Sequence, residues 1–164
     1  MQICLRLNNT DIIMQLLKDL IDTQYNYSVF LIRITAGIII FPYGMQKLLG
    51  WFPDFGGGVG IWASLASFKK KGIPAAAAWM VILGQSLGSI ALLAGFAGRA
   101  AAFFNFVIFT GAMCMHASEG WTMNWAGSKK GEGIEYFIML LVLLFLVVVN
   151  GSGALSLDYW LSVA

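Results

Sequence analysis

Charged residues are scarce in this sequence. Asp, Glu, Lys and Arg make up 11% of its 164 residues, whereas a typical soluble domain carries about 25%. Apolar residues make up 59% and the mean hydropathy is +0.79, so there is too little charge to cover a water-facing surface. The net charge of +2 is also too small to indicate a nucleic-acid partner. The composition therefore predicts an integral membrane protein that is surrounded by the lipid bilayer.

Cysteine pairs and metal-ligand clusters are lacking as well. Cys4 and Cys114 are far apart and form no Cys-x-x-Cys motif, which disfavours a membrane thiol oxidoreductase. His116 and Glu119 have the spacing of a ligand pair, but two ligands at a helix end are too few to predict a metal site. Walker, Rossmann and nucleophile-elbow motifs and haem-binding histidine pairs are absent too, so no cofactor site is evident in the chain.

Four apolar stretches have the length of about 17–25 residues that a membrane-spanning helix needs. They cover about residues 27–43, 74–96, 100–117 and 134–150. Pro42 is expected to kink or end the first of them, and the short turn 95–99 makes the second and third an antiparallel hairpin. The sequence therefore predicts an all-α fold, a polytopic membrane four-helix bundle formed by residues 27–164.

Two further helices are expected at the membrane surface. Residues 1–26 carry apolar side chains at helical spacing, which indicates an N-terminal amphipathic interfacial helix or, alternatively, a helix that docks on a partner. In the long connection 45–73, apolar residues recur from Ile61 to Phe68 and are followed by Lys69–Lys71. This pattern predicts a second interfacial helix in the first long loop, with a basic end.

The distribution of basic residues predicts the orientation. Six lysines (47, 69, 70, 71, 129 and 130) flank the long loops, and three basic residues (Arg6, Lys18 and Arg99) lie on the other side. By the positive-inside rule the long loops are cytoplasmic and both termini lie outside. We expect a multi-pass protein of the bacterial inner (cytoplasmic) membrane.

Polar residues within the apolar stretches fall at two depths. We expect Arg33, Gln85 and Asn105 to form one intramembrane polar layer that fixes helix packing, since ionisable residues at this depth need partners; alternatively, Arg33 snorkels to the nearer interface. Nearer the other face lie the residues that could line a polar pocket under the long loop: Tyr43, Lys47, His116, Glu119, Glu135 and Tyr136. There we expect Glu135 to pair with Lys47 or His116. Alternatively, His116 at a helix C-terminal end serves only as a favourable partner of the helix dipole.

The sequence resembles the DoxX family over about residues 29–159. The similarity lies in these segments: Arg33-Ile-Thr-Ala-Gly37, Phe41-Pro-Tyr-Gly44-Met-Gln-Lys47-Leu-Leu-Gly-Trp51-Phe52, Gly72-Ile-Pro74, Gly95-Phe-Ala-Gly-Arg99-Ala-Ala, His116, Gly133-Ile-Glu135-Tyr136 and Gly151-Ser-Gly-Ala-Leu-Ser-Leu-Asp158. The resemblance implies a four-helix membrane protein. Some relatives are linked to a thiosulfate:quinone oxidoreductase or a terminal quinol oxidase, and others to membrane complexes concerned with oxidative stress. The family commonly has His where this chain has Tyr43 and Glu where it has Gln85, so proton-coupled chemistry is disfavoured at both positions.

The sequence alone leaves two functions open. In the first, the chain is a quinone-linked oxidoreductase subunit or accessory, with a quinone bound at Tyr43, Lys47, His116, Glu135 and Tyr136. Electrons would come from a partner, because a cofactor carries such chemistry and none is evident here, so the chain is not expected to be a complete enzyme alone. In the second, it is a non-catalytic subunit of a larger membrane complex or a homo-oligomer. A transporter is disfavoured, since four helices without a repeat offer little for alternating access.

Overall fold

The computed structural model describes residues 9–53, 59–128 and 131–163. Within these ranges the chain is helical and has no strand, as predicted. The helices are α1 (Asn9–Ile21), α2 (Tyr27–Leu49), α3 (Gly60–Lys70), α4 (Ala75–Ala94), α5 (Gly98–His116), α6 (Glu135–Asn150) and α7 (Leu157–Val163), with a short 3-10 helix Ala117–Glu119 after α5. Residues 1–8 of the predicted N-terminal helix and the lysines 129 and 130 lie outside the described residues.

Among the described residues, three helices are long and apolar enough to cross a membrane: α2, α4, and α5 together with its 3-10 extension. In the most apolar 18 residues of each helix, between 22% and 39% is buried inside the protein. Most of their apolar surface therefore faces outward, as contact with lipid requires. Helix α6 is apolar but has 16 residues, so a fourth span and a transmembrane four-helix bundle stay predictions.

The four apolar helices pack in a ring. Helix α2 contacts α4 and α6, and α5 contacts the same two helices from the other side. Their shared core contains Ala36, Ile40, Leu92, Ala102, Leu140 and Leu144. Because consecutive helices of the ring are antiparallel, the two long connections meet at one end, the loop end. The connection of α1 to α2, the α4–α5 turn and residues 151–163 meet at the other, the tail end.

Helix α2 is longer than the first predicted span. Asn26 caps its start, with its side-chain Oδ1 accepting hydrogen bonds from the N–H groups of Ser28 and Val29 at 2.8 and 3.3 Å. The helix continues through Pro42 to Leu49 and is followed by Gly50, where φ is +77°. Pro42 therefore does not end the helix, because proline removes one backbone donor while the neighbouring helical hydrogen bonds still form.

Helices α1 and α3 lie beside this ring. Helix α1 packs against α5 and α7, and α3 packs against α2 and α4. The large apolar side chains of α1, from Ile12 to Leu20, are 40–59% exposed, so its apolar face is not covered by the described chain. Exposed apolar side chains on an amphipathic helix agree with a place at the lipid surface, which stays a prediction for both helices.

Candidate functional site

Arg33 lies completely buried near the start of α2 and binds backbone carbonyl groups at the tail end. Its Nε donates to a carbonyl oxygen of the chain after α6 at 2.7 Å, and Nη1 and Nη2 donate to further carbonyls. The acceptors are the carbonyl oxygens of Leu92, Leu93, Ser152, Ala154 and Leu155. The guanidinium thus binds carbonyl groups in the last turn of α4 and lies at the negative end of that helix dipole.

Asp158 is the matching acid at the start of α5. Its buried carboxylate accepts hydrogen bonds from the N–H groups of Ala97 and Gly98, at 2.7 and 2.9 Å, and from the Ser152 hydroxyl. A negative charge is favourable there because the first N–H groups of a helix are unpaired and carry partial positive charge. Residues 151–158, the tail segment, therefore fold over the α4–α5 turn and bind the ends of both helices.

Arg99 performs a similar role for α6. Its Nη1 donates to the carbonyl oxygens of Val148 and Val149, at 2.8 and 2.7 Å, near the end of that helix. Its Nε and Nη2 donate to the carbonyl oxygen of Asp22, in the connection between α1 and α2. Each of the two arginines therefore binds the carbonyl end of one helix and a second chain segment.

Arg33, Gln85 and Asn105 do not form the joint polar layer that we expected. All three are buried, with 0%, 5% and 0% of their surface exposed, but the Asn105 amide donates to the carbonyl oxygens of Gly84 and Ala101 at 3.0 and 2.9 Å. The Arg33 side chain extends toward the nearer end of α2, as the snorkelling alternative predicts. Its guanidinium binds buried carbonyl groups there and not water. The reason is chemical: backbone carbonyls at helix ends supply more acceptors than two side-chain amides.

At the loop end, Tyr43, Lys47 and Tyr136 lie together; we call them the loop-end cluster. Lys47 Nζ donates to the Tyr43 carbonyl oxygen at 3.2 Å and lies 5.7 Å from the centre of the Tyr43 ring. The Tyr43 and Tyr136 ring centres are 6.4 Å apart. The Tyr136 hydroxyl is buried, and its polar neighbour is the side chain of Tyr43.

The other predicted pocket residues form a neighbouring group. His116 Nδ1 lies 2.8 Å from Glu119 Oε2, and the imidazole stacks on Phe137 with a centroid distance of 5.4 Å. The Glu135 carboxylate accepts from the N–H of Met123 at 3.1 Å, so its described hydrogen bond is to the loop and not to Lys47 or His116. Tyr136 and Phe137, with ring centres 5.5 Å apart, join this group to the loop-end cluster.

The sequence model of the DoxX family matches residues 28–118, more than half of the chain. The chain belongs to the DoxX family. No curated protein and no solved structure matches it at a significant level. Together with three helices of spanning length, membership makes this DoxX protein an integral membrane protein.

The region that matches the family contains only part of the tail-end contacts and of the loop-end group. Arg33, Tyr43, Lys47 and His116 lie inside the matched region, whereas Tyr136 and Asp158 lie after it. At both the loop end and the tail end of the ring, the helices of the matched region therefore contact the part of the chain that follows that region.

Sequence reasoning missed the role of the tail segment in this DoxX protein. Gly151 to Asp158 was noted for its resemblance alone, and Asp158 was not singled out as a partner of a helix end. A signal was present: a segment of small and polar residues with one acid follows directly after the apolar α6. Such a segment beside a membrane is suited to bind helix ends, which need partners when water is excluded.

Proposed function

We propose that this DoxX-family protein is a quinone-linked subunit or accessory of a membrane redox system. The head group of the quinone would bind at the loop-end cluster, with His116 and Glu135 nearby. We place the protein in a bacterial inner membrane, where the bilayer supplies the quinone, and we assign electron delivery to a partner subunit.

The observation that carries this proposal is the buried Tyr136 hydroxyl. Its polar neighbour is the Tyr43 phenol. Two phenols carry two O–H donors and need only one to bond each other, so one donor is available to a ligand. Tyr136 is the second residue of α6, so its hydroxyl lies near one end of the bundle. A molecule dissolved in the bilayer can reach this depth. A phenol is a good donor to a carbonyl oxygen, which is the polar group of a quinone.

The neighbours of Tyr136 fit the same ligand. Lys47 adds an ammonium donor about one helical turn after Tyr43, and its position over the Tyr43 ring holds it at the cluster. The Tyr43 and Tyr136 rings are flat apolar surfaces against which a quinone ring can pack. A bound quinone would supply the redox chemistry, and the chain's own part is to bind and orient it.

The test is purification in a mild detergent, followed by measurement of the molar ratio of quinone to protein. We expect the wild-type protein to retain quinone and Tyr136→Phe, which removes one hydroxyl, to lose at least about 10-fold in affinity, the loss that corresponds to about 1.4 kcal/mol. Tyr25→Phe is the matched control, because the Tyr25 hydroxyl is exposed and bonds Tyr27. Retention of quinone at an unchanged ratio by Tyr136→Phe would refute the site.

A second candidate is a non-catalytic subunit of a larger membrane complex. The observation that favours it is an apolar groove of about 820 Å³ between α4 and α5, lined by small residues that include Gly84, Gly88 and Ala94. Small residues allow close approach of another membrane helix. The same purification separates the two candidates: a stoichiometric partner chain together with no quinone, in wild type and Tyr136→Phe alike, supports the second.

A further inference from the structure

Two buried side-chain oxygens in the middle of the ring have no hydrogen-bond donor among the described residues. They are Gln85 Oε1 on α4 and Asn105 Oδ1 on α5. Gln85 lies near the centre of the 20-residue α4, about 15 Å from either end at 1.5 Å per residue. Water at the membrane surface cannot solvate an oxygen at this depth, so each unpaired acceptor carries the full cost of its desolvation.

The orientation of the Asn105 amide is fixed by its neighbours. Nδ2 donates to the carbonyl oxygens of Ala101 and Gly84 at 2.9 and 3.0 Å. Exchanging the oxygen and nitrogen of the amide would put Oδ1 against two carbonyl oxygens and lose both hydrogen bonds. Oδ1 therefore points away from these carbonyls and remains an acceptor.

The buried hydroxyl donors of α4 and the guanidinium of Arg33 already have acceptors. The Ser86 hydroxyl donates to the Ile82 carbonyl oxygen at 2.6 Å, and the Ser89 hydroxyl donates to that of Ser86 at 2.9 Å. The guanidinium of Arg33 is bound to carbonyl groups at the tail end. None of these three donors is left for the oxygens of Gln85 and Asn105.

Glycines let α2 and α5 approach α4 closely at the level of the two amides. A Cβ at Gly88 would lie 2.4 Å from Asn105 Nδ2, and a Cβ at Gly44 would lie 2.5 Å from the backbone carbonyl oxygen of Gln85. Close approach of α5 and α2 to α4 therefore requires both glycines. Since Gly84 and Gly88, which contact Asn105, flank Gln85 in α4, the two amide side chains lie at the same level of the ring.

We propose that Gln85 and Asn105 form an internal binding site for a small hydroxyl donor between α2, α4 and α5. The O–H groups of the ligand donate to Gln85 Oε1 and Asn105 Oδ1. A water molecule has two such donors, which matches two acceptor oxygens. An organic hydroxyl is the other source of the same chemistry, and Gly84 and Gly88 also line the lipid-facing groove, from which such a molecule would enter. This site is separate from the loop-end cluster and does not depend on quinone binding there.

The first measurement uses the wild-type protein in lipid bilayers. Water-edited solid-state NMR reports magnetisation transfer from water to the side-chain amides of Gln85 and Asn105, and mass spectrometry of a solvent extract reports organic hydroxyl compounds. Rapid transfer identifies water as the ligand. Slow transfer together with a hydroxyl compound present at one per chain, and lost in Gln85→Met, identifies the organic source. Absence of both overturns the proposal.

The second measurement uses Gln85→Met, which keeps the side-chain volume and removes the acceptor. If a ligand donates to Gln85, the variant loses this bond and its Tm falls by about 2–4 °C. If the oxygen has no donor, replacing it by an apolar group raises the Tm, and this result would overturn the proposal. Leu83→Met is the matched control, because Leu83 lies on the same helix and is exposed.

Discussion

At the scale of single residues, the buried charges are the feature that this fold has to accommodate. An arginine inside a membrane helix is costly unless its donors are bound. Arg33 meets this need with backbone carbonyls from the end of α4 and from the tail segment. Asp158 binds the N–H groups at the start of α5. Each charge therefore lies at the helix end of opposite partial charge, which stabilises both helices and avoids a bare ion in the apolar layer.

Arg33→Lys tests whether the shape of the guanidinium matters and not only its charge. Lysine has three donors on one atom and cannot reach α4 and the tail segment together, so we expect the free energy of unfolding to fall by about 2–3 kcal/mol. Denaturant titration in detergent micelles measures the change. Arg99→Lys is the control, because Arg99 is partly exposed and water can replace its lost bonds. Equal losses in the two variants would contradict this account.

The partners of these residues explain how far a sequence can predict the site. The depth of Arg33 indicated correctly that it needs partners, but its acceptors are backbone carbonyls, and every residue of the chain has one. The partner of Glu135 is likewise a backbone N–H, of Met123. Side-chain types predicted where polar groups lie, whereas the choice among identical backbone groups depends on how distant segments fold together.

At the scale of elements, the tail segment is short but binds three parts of the chain. It supplies carbonyl groups to Arg33, and Asp158 binds the start of α5. Its Gly153 N–H donates to Thr23 Oγ1 at 2.8 Å, and the Ala154 N–H donates to the Asn26 carbonyl oxygen at 3.0 Å. The segment therefore fixes the ends of α2, α4 and α5 relative to one another.

Deletion of residues 151–164 is expected to destabilise the protein severely. It removes the cap of α5, worth about 1 kcal/mol, and leaves Arg33 buried without part of its acceptors, which costs about 3–5 kcal/mol. Together these losses approach the whole stability of an ordinary domain. Thermal unfolding followed by size-exclusion chromatography in detergent measures the effect.

Deletion of residues 161–164 is the control for that experiment. It removes the exposed Leu161 and Val163 and keeps Asp158 and Ser152, so we expect a Tm close to that of the wild type. If both deletions lower the Tm equally, the stabilising contacts lie beyond Trp160 and not in the tail segment.

At the scale of the whole molecule, the two ends of the ring differ in chemistry. The tail end is closed by buried hydrogen bonds between helix ends, and its connections are short. The loop end carries the long connections, the lysines of α3 and the loop-end cluster. Exposed tryptophans, among them Trp62 and Trp125, also lie there, which is typical of a membrane–water interface. From the sequence we predicted the long loops and the polar pocket at one end, but not the closure of the other end by the tail segment.

The orientation of these ends in the membrane is the last prediction. In the sequence, six lysines flank the two long loops and three basic residues lie on the other side, which predicts a cytoplasmic loop end. With Cys4 and Cys114 replaced by serine, Ser128→Cys at the loop end and Ser162→Cys at the tail end, both exposed, report each side. In intact cells an impermeant maleimide should label Ser162→Cys and leave Ser128→Cys unlabelled, and permeabilised cells should label both. The opposite pattern would show that the orientation is the reverse of the predicted one, without contradicting the helix arrangement. Equal labelling in intact cells would contradict the placement of the two ends on opposite sides of the membrane.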